Sequence, residues 1–316
     1  MAITLTQDFK LKIIDAMIER RELYDGTDGA FAKSLGISAA VYSRLHKGEH
    51  MGLLKTTQWI MMAQFLGITI EDRKWNVART DVFNMIEEDV QFCKAYAKAK
   101  ICVDDCGIGK TFTAKYLSRT MKNCFYVDAS QAKTRQAFIR LLAKTVGGES
   151  KGQYFTVKET LKFYLKSINH PVVIIDEAGD LEYEAFLELK ELWNATENYC
   201  GWYMMGADGL RAKIERGIAN KKVGFAEIFS RYSDKFSKVV PIGREDKIRF
   251  YKKLIADVLE ANGCEPDKIN QIVLKCMVNV ASNKDFNRKS RPGIEDQIGG
   301  LRRAESLLIL SKEVEA

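Results

Sequence analysis

The stretch Asp104-Asp105-Cys106-Gly107-Ile108-Gly109-Lys110-Thr111 constrains the fold of this chain more than any other, because it joins an apolar run to a helical pattern. Lys100-Ile101-Cys102-Val103 reads as a buried strand and residues 112–120 as the helix after it. A loop in that position holds phosphates when glycines let backbone N–H groups wrap the anion, a lysine reaches its oxygens and a hydroxyl ligates Mg²⁺. Gly107, Gly109, Lys110 and Thr111 supply these groups, and Cys106, Ile108 and Phe112 belong to the same cradle. The N-terminal N–H groups and dipole of the following helix favour the bound anion. The usual pattern opens on glycine, and Asp104 stands there instead.

A second stretch supports the first. Pro171 is followed by Val172-Val173-Ile174-Ile175-Asp176-Glu177, a β-branched run ending in two carboxylates. Strands of a parallel sheet are buried on both faces, and residues at their C-terminal ends point into the crevice where ligands bind. Asp176 is expected to hold Mg²⁺, mostly through water, with Thr111 as the second protein ligand, and Glu177 to orient and polarise an attacking water. Together the two stretches predict ATP and Mg²⁺ as ligands and hydrolysis of ATP to ADP and phosphate as the reaction.

With 316 residues the chain is long enough for two or three domains. A net charge of +7 favours an anionic partner, although an average charge does not locate a patch. The seven cysteines are odd in number and lack close pairing, which predicts reduced thiols and argues against a zinc site. No signal peptide opens the sequence and no apolar run approaches a membrane span, so the expected location is the cytoplasm, without membrane association.

Three regions follow along the chain. Residues 1–70 read as helical. Phe9, Ile13, Ile14, Met17 and Ile18 recur at helical spacing before the turn at 24–29; a short helix at 30–35, a turn at Gly36-Ile37 and a second helix capped by Ser38 have helix-turn-helix spacing. Ile37 and Val41 are expected to face the core, and Ser38, Ala39, Ala40, Tyr42, Ser43, Arg44 and Lys47 to be exposed, with Arg44 and Lys47 suited to a DNA groove. A further helix is expected at 57–65. Residues 71–242 alternate strand and helix: a connector at 71–78, a helix near 82–98, strands at 100–103, 124–128, 172–176, 201–206 and 236–242, and helices at 134–146 and 156–168, with a flexible loop at 147–152. That alternation predicts an α/β fold with a parallel sheet and right-handed crossovers. Residues 243–316 read as three helices, at 246–259, 266–281 and 293–311, with a basic stretch at 284–291.

A parallel α/β P-loop core followed by a small all-helical lid resembles the AAA+ ATPases. The Cys-Gly-Ile-Gly-Lys-Thr loop, the Ile-Ile-Asp-Glu-Ala strand end and the leading helix-turn-helix together resemble the AAA+ regulators of DNA transposition, of the MuB, TnsC and TniB type, the resemblance of the core spanning residues 75–311. The resemblance implies a non-specific double-stranded DNA-binding ATPase that forms an ATP-dependent homo-oligomer, a helical filament or ring, and delivers target DNA to a transposase. Ser230-Arg231-Tyr232 resembles the segment whose arginine completes a neighbouring subunit's catalytic site. Arg302 resembles the sensor 2 arginine, with Arg303 as competitor. After Gly206 the family carries a polar sensor of the γ-phosphate, whereas here Ala207 follows and Asp208 is the available polar residue. The resemblance places DNA contacts on Lys133, Arg135, Arg140 and Lys151. Origin-recognition and secretion-linked ATPases share most of the AAA+ motifs, and two other functions stay open: a transcriptional regulator whose helix-turn-helix reads an operator under an ATP-gated switch, and a replication-initiation or helicase-loading ATPase.

Overall fold

The computed structural model describes residues 5–69, 75–277 and 298–313. Residues 71–74 of the connector predicted at 71–78, the basic stretch at 284–291 and the facing ends of the two helices flanking it lie outside the described residues.

Four helices open the chain. α1 (Gln7–Glu22) is capped by the Thr6 side chain, α2 (Asp28–Ser34) by Thr27 and α3 (Ala39–His46) by Ser38, each hydroxyl accepting a backbone N–H of the first turn. α4 (Thr56–Leu66) ends on Gly67, whose φ of +71° is the left-handed conformation that glycine adopts without strain. Ile37 is buried and Val41 half-buried. Tyr42, expected on the exposed face of α3, is instead buried, its ring edge-on to Phe31. A large aromatic at that position contributes more apolar burial to the bundle than it could to a wet groove.

Next come α5 (Asp81–Tyr96), β1 (Ala99–Val103), α6 (Lys110–Thr120), β2 (Cys124–Asp128), α7 (Arg135–Val146), α8 (Tyr154–Ser167), β3 (Val172–Asp176), α9 (Tyr183–Ala195), β4 (Gly201–Gly206), α10 (Asp208–Ala219), α11 (Phe225–Arg231) and β5 (Phe236–Ser237). α12 (Arg244–Ala261), α13 (Pro266–Met277) and α14 (Leu301–Glu313) complete the described chain. The five strands form one parallel sheet in the order β2-β3-β4-β1-β5. Every residue of β3 and β4 is buried, as continuous apolar runs require of strands covered on both faces. β5 is two residues long instead of the predicted seven, because past Ser237 the backbone N–H groups of Val239 and Val240 bond a side chain, Asp104, instead of a strand.

The described residues form two compact units. The first contains residues 5–69, 88–103 and 114–237, hence the whole sheet. Its N-terminal helices share one apolar core with the sheet layer: Phe31, Leu45, Trp59 and Met62 belong to the same cluster as Phe138, Leu142 and Leu161. Tyr24 links them further, its hydroxyl donating to the Val146 carbonyl oxygen at 2.8 Å and lying 2.7 Å from that of Tyr164. Elsewhere in the first unit, burial pushes the Cys93 and Cys124 thiols up to about 12, so they pack as neutral apolar groups. The second unit contains residues 75–87, 104–113 and 238–277 with 298–313. Ile255, Leu259, Ile272, Cys276, Ala304 and Leu308 form its core, joining α12, α13 and α14. Among the described residues, no helix is long and apolar enough to cross a membrane.

Candidate active site

In the second unit the loop between β1 and α6 has the shape of a phosphate cradle. Gly107 and Gly109 have φ of +73° and +100°, a backbone that a Cβ would strain and that lets successive N–H groups face one concavity. Ile108 is buried beneath the loop, whereas Cys106 and Phe112 are exposed. Lys110 is the first residue of α6 and only 9 % exposed; its ammonium donates to the main-chain oxygens of Asp104 at 2.7 Å and Asp105 at 2.6 Å. Thr111 follows on the first turn of the helix. α14 begins against the same loop: the Leu301 N–H donates to the Gly107 carbonyl oxygen at 2.8 Å, and a Cβ on Gly300 would lie 2.7 Å from that oxygen. Arg302 and Arg303 are exposed on the first turn of α14.

In the first unit Asp176 ends β3, 2 % exposed, with Asp128 opposite it in the register of β2. One carboxylate oxygen of Asp176 accepts the Glu177 N–H at 3.0 Å and the other accepts the Tyr126 hydroxyl at 3.1 Å. Burial, with the carboxylates of Asp176 and Asp128, pushes the Tyr126 hydroxyl above its ordinary range, so it remains a donor. Tyr126 escapes sequence reasoning because strand pairing alone brings it beside Asp176; the only signal is a polar tip within an apolar strand. Glu177 is exposed and its backbone is left-handed at φ +50°, ψ +38°. β4, between β3 and β1 in the sheet, ends at Gly206; Ala207 then caps α10, and Asp208 is exposed at its first position. Three residues on, Arg211 lies over the Phe236 ring at 5.2 Å with its buried Nε lacking a hydrogen-bond partner.

Arg231 ends α11. Its Nε donates to the Asn194 side-chain oxygen at 2.6 Å, one terminal nitrogen donates to the Glu227 carbonyl oxygen at 2.9 Å, and the guanidinium lies 5.5 Å from the Trp193 ring centre. Tyr232, the next residue, is fully buried and anchors the segment.

Residues 96–214 match the family model described as an AAA domain. The chain therefore carries an AAA-type ATPase domain. No curated protein matches the chain. The AAA domain contains the phosphate loop, Asp176 and Glu177, and stops before Arg231 and the helices of the second unit. Mg²⁺ is a hard cation that takes oxygen ligands; the first unit offers the buried Asp176 carboxylate and the second the Thr111 hydroxyl, each a donor of that kind.

The basic residues matched to DNA contacts are all engaged within the first unit except Lys47 and Lys151, whose side chains are exposed. Lys133 pairs with Asp180 at 2.8 Å. Arg135 lies 3.8 Å from Glu184 and 3.9 Å from Glu188, over the Tyr154 ring. Arg140 donates to the carbonyl oxygens of Ser150 and Gly152, both at 2.8 Å, and so holds the loop predicted to be flexible. On α3, Arg44 pairs with Glu49 at 2.8 Å, and Lys47 is the C-cap.

Proposed function

We propose that the protein is an ATP-hydrolysing AAA+ ATPase that oligomerises on duplex DNA without reading its sequence and delivers that DNA to, or activates, a transposase. The observation that carries the reading is the union in one chain of an AAA domain and a capped helix-turn-helix, with Ser38, Ala39, Ala40, Ser43, Arg44 and Lys47 exposed on or beside its second helix. Lys110 and the N–H groups from Gly107 to Thr111 would bind the phosphates of ATP; Thr111 and Asp176 are the residues that would hold Mg²⁺, whose charge would offset that on the phosphates. Glu177 accepts a proton from the attacking water and orients it toward the γ-phosphate. Arg231, from an adjacent subunit, stabilises charge developing on the transferred group, so ATP favours the assembled state. Arg302 serves the same nucleotide from the head of α14.

The deciding experiment measures assembly on random duplex DNA with and without ATP, by sedimentation and footprinting. The unaltered protein is expected to give long, sequence-independent protection only with ATP, Glu177→Gln to trap the DNA-bound oligomer, and Lys110→Ala to abolish it. A Lys110→Ala protein that assembles normally without nucleotide would overturn the reading, and a short footprint confined to one operator would favour the regulator.

A further inference from the structure

Two acidic side chains precede the phosphate cradle within the second unit, and each is bonded to the helical part of that unit. Asp104 is 2 % exposed; one of its carboxylate oxygens accepts the N–H groups of Val239 at 2.7 Å and Val240 at 3.1 Å, and the other accepts the Asp105 N–H at 2.9 Å. Such N–H bonds let a carboxylate stay buried. The Asp105 carboxylate meets Lys247 at 2.6 Å and accepts the Tyr251 hydroxyl at 3.0 Å, two residues one turn apart on α12. The main-chain oxygens of the same two aspartates receive the Lys110 ammonium. The residues thus point two ways, carboxylates to the connector at 239–240 and to α12, carbonyls to the phosphate-binding lysine. A glycine at position 104 could make only the second kind of contact.

We infer that Asp104 and Asp105 are positioning residues that carry the state of Lys110 to α12. A phosphate competes with the two carbonyls for the ammonium. When it takes those donors, the peptide units at 104–106 lose what holds their orientation, and the carboxylates attached to them shift with them. The bonds to Lys247, Tyr251, Val239 and Val240 then weaken, so phosphate occupancy is felt in the first helix after the sheet. This rests on the nucleotide-binding reading above and extends it.

The test is amide hydrogen exchange on the full chain, with ATP binding measured in parallel and a non-hydrolysable ATP analogue with Mg²⁺ as the probe. In the unaltered protein, saturating analogue is expected to speed exchange over 238–251 about fivefold or more, the lower end of ordinary coupling between sites. Lys247→Ala and the milder Tyr251→Phe are expected to show the faster exchange already without analogue and to gain little from it, while still binding it. Lys247→Arg, which keeps the charge, is expected to restore the response. Unchanged exchange in α14 without analogue certifies that each variant is folded. Variants that respond as the unaltered protein does, or an unaltered protein that binds the analogue with no change over 238–251, would sink the inference. Failure of the unaltered protein to bind it would instead overturn the nucleotide reading on which the inference rests.

Discussion

Glu177 holds a backbone conformation that L-residues adopt at a cost of about 1 kcal/mol, with its side chain exposed and its neighbour Asp176 buried. Such a conformation sets the two adjacent carboxylates apart, as the proposed division between a metal ligand and a general base requires. Glu177→Gln keeps the shape and removes the base, so kcat for ATP hydrolysis is expected to fall about 10²- to 10⁴-fold with the Kd for ATP little changed. Steady-state hydrolysis and nucleotide titration together check this. At Asp105, burial raises the carboxyl's pKa, but Lys247 and Tyr251 outweigh it and the net shift is downward. A carboxyl whose folded pKa is depressed stabilises the fold above its unfolded value and loses that contribution as pH falls through the folded one. Acid is therefore expected to weaken the bond between the loop and α12 below about pH 4. Asp105→Asn should flatten that part of the stability curve, and denaturant melts between pH 3 and 7 would show it.

At the scale of elements, α11 carries the residue on which the proposed assembly depends. Its last residue, Arg231, is tied to Asn194 and Glu227 and lies over Trp193, so the role proposed for it at another subunit's nucleotide requires it to exchange those contacts. Arg231→Ala is expected to bind ATP normally yet hydrolyse it about 10³-fold more slowly on DNA, and Arg231→Lys not to restore the rate, since a point charge lacks the planar fork. Mixing Arg231→Ala with Glu177→Gln subunits should recover part of the activity if the arginine acts across a junction. α14 depends on the close approach of Gly300 to the Gly107 carbonyl, so Gly300→Ala is expected to push the helix off the loop and weaken ATP binding, which fluorescence titration would register. Strands β1 to β4 were legible within a residue or two because strands buried on both faces leave uninterrupted apolar runs. The sequence pattern gives no separate signal for α10 and α11. The seven residues of α11 bury only Phe225 and Ile228, too few to display a period, and α10 buries a glycine, Gly217, among its core positions. α9 was readable, since Ala185, Phe186, Leu189 and Leu192 stand at helical spacing.

At the scale of the molecule, the N-terminal helices and the sheet share one core within the first unit, so removing the helices uncovers apolar surface on α7 and α8. Deletion of residues 1–73 is expected to give a protein that aggregates, by light scattering, instead of an autonomous nucleotide-binding core. Tyr24→Phe, which removes one hydroxyl from that seam and leaves the Val146 carbonyl with one donor fewer, is expected to cost about 1 kcal/mol and lower Tm by a few degrees. By itself the sequence determined the phosphate loop, the two carboxylates at the end of β3, the parallel α/β class and the helix capped by Ser38, because each depends on residues near one another in the chain. Only the tertiary structure decided that Tyr126 bonds Asp176, that Tyr42 is core and not groove, that Arg140 holds a loop, and that Asp104 and Asp105 tie the phosphate loop to α12 and its connector. Those pairings join residues up to 146 positions apart, and local pattern holds no information about which distant side chain fills a given carboxylate's hydrogen-bonding capacity.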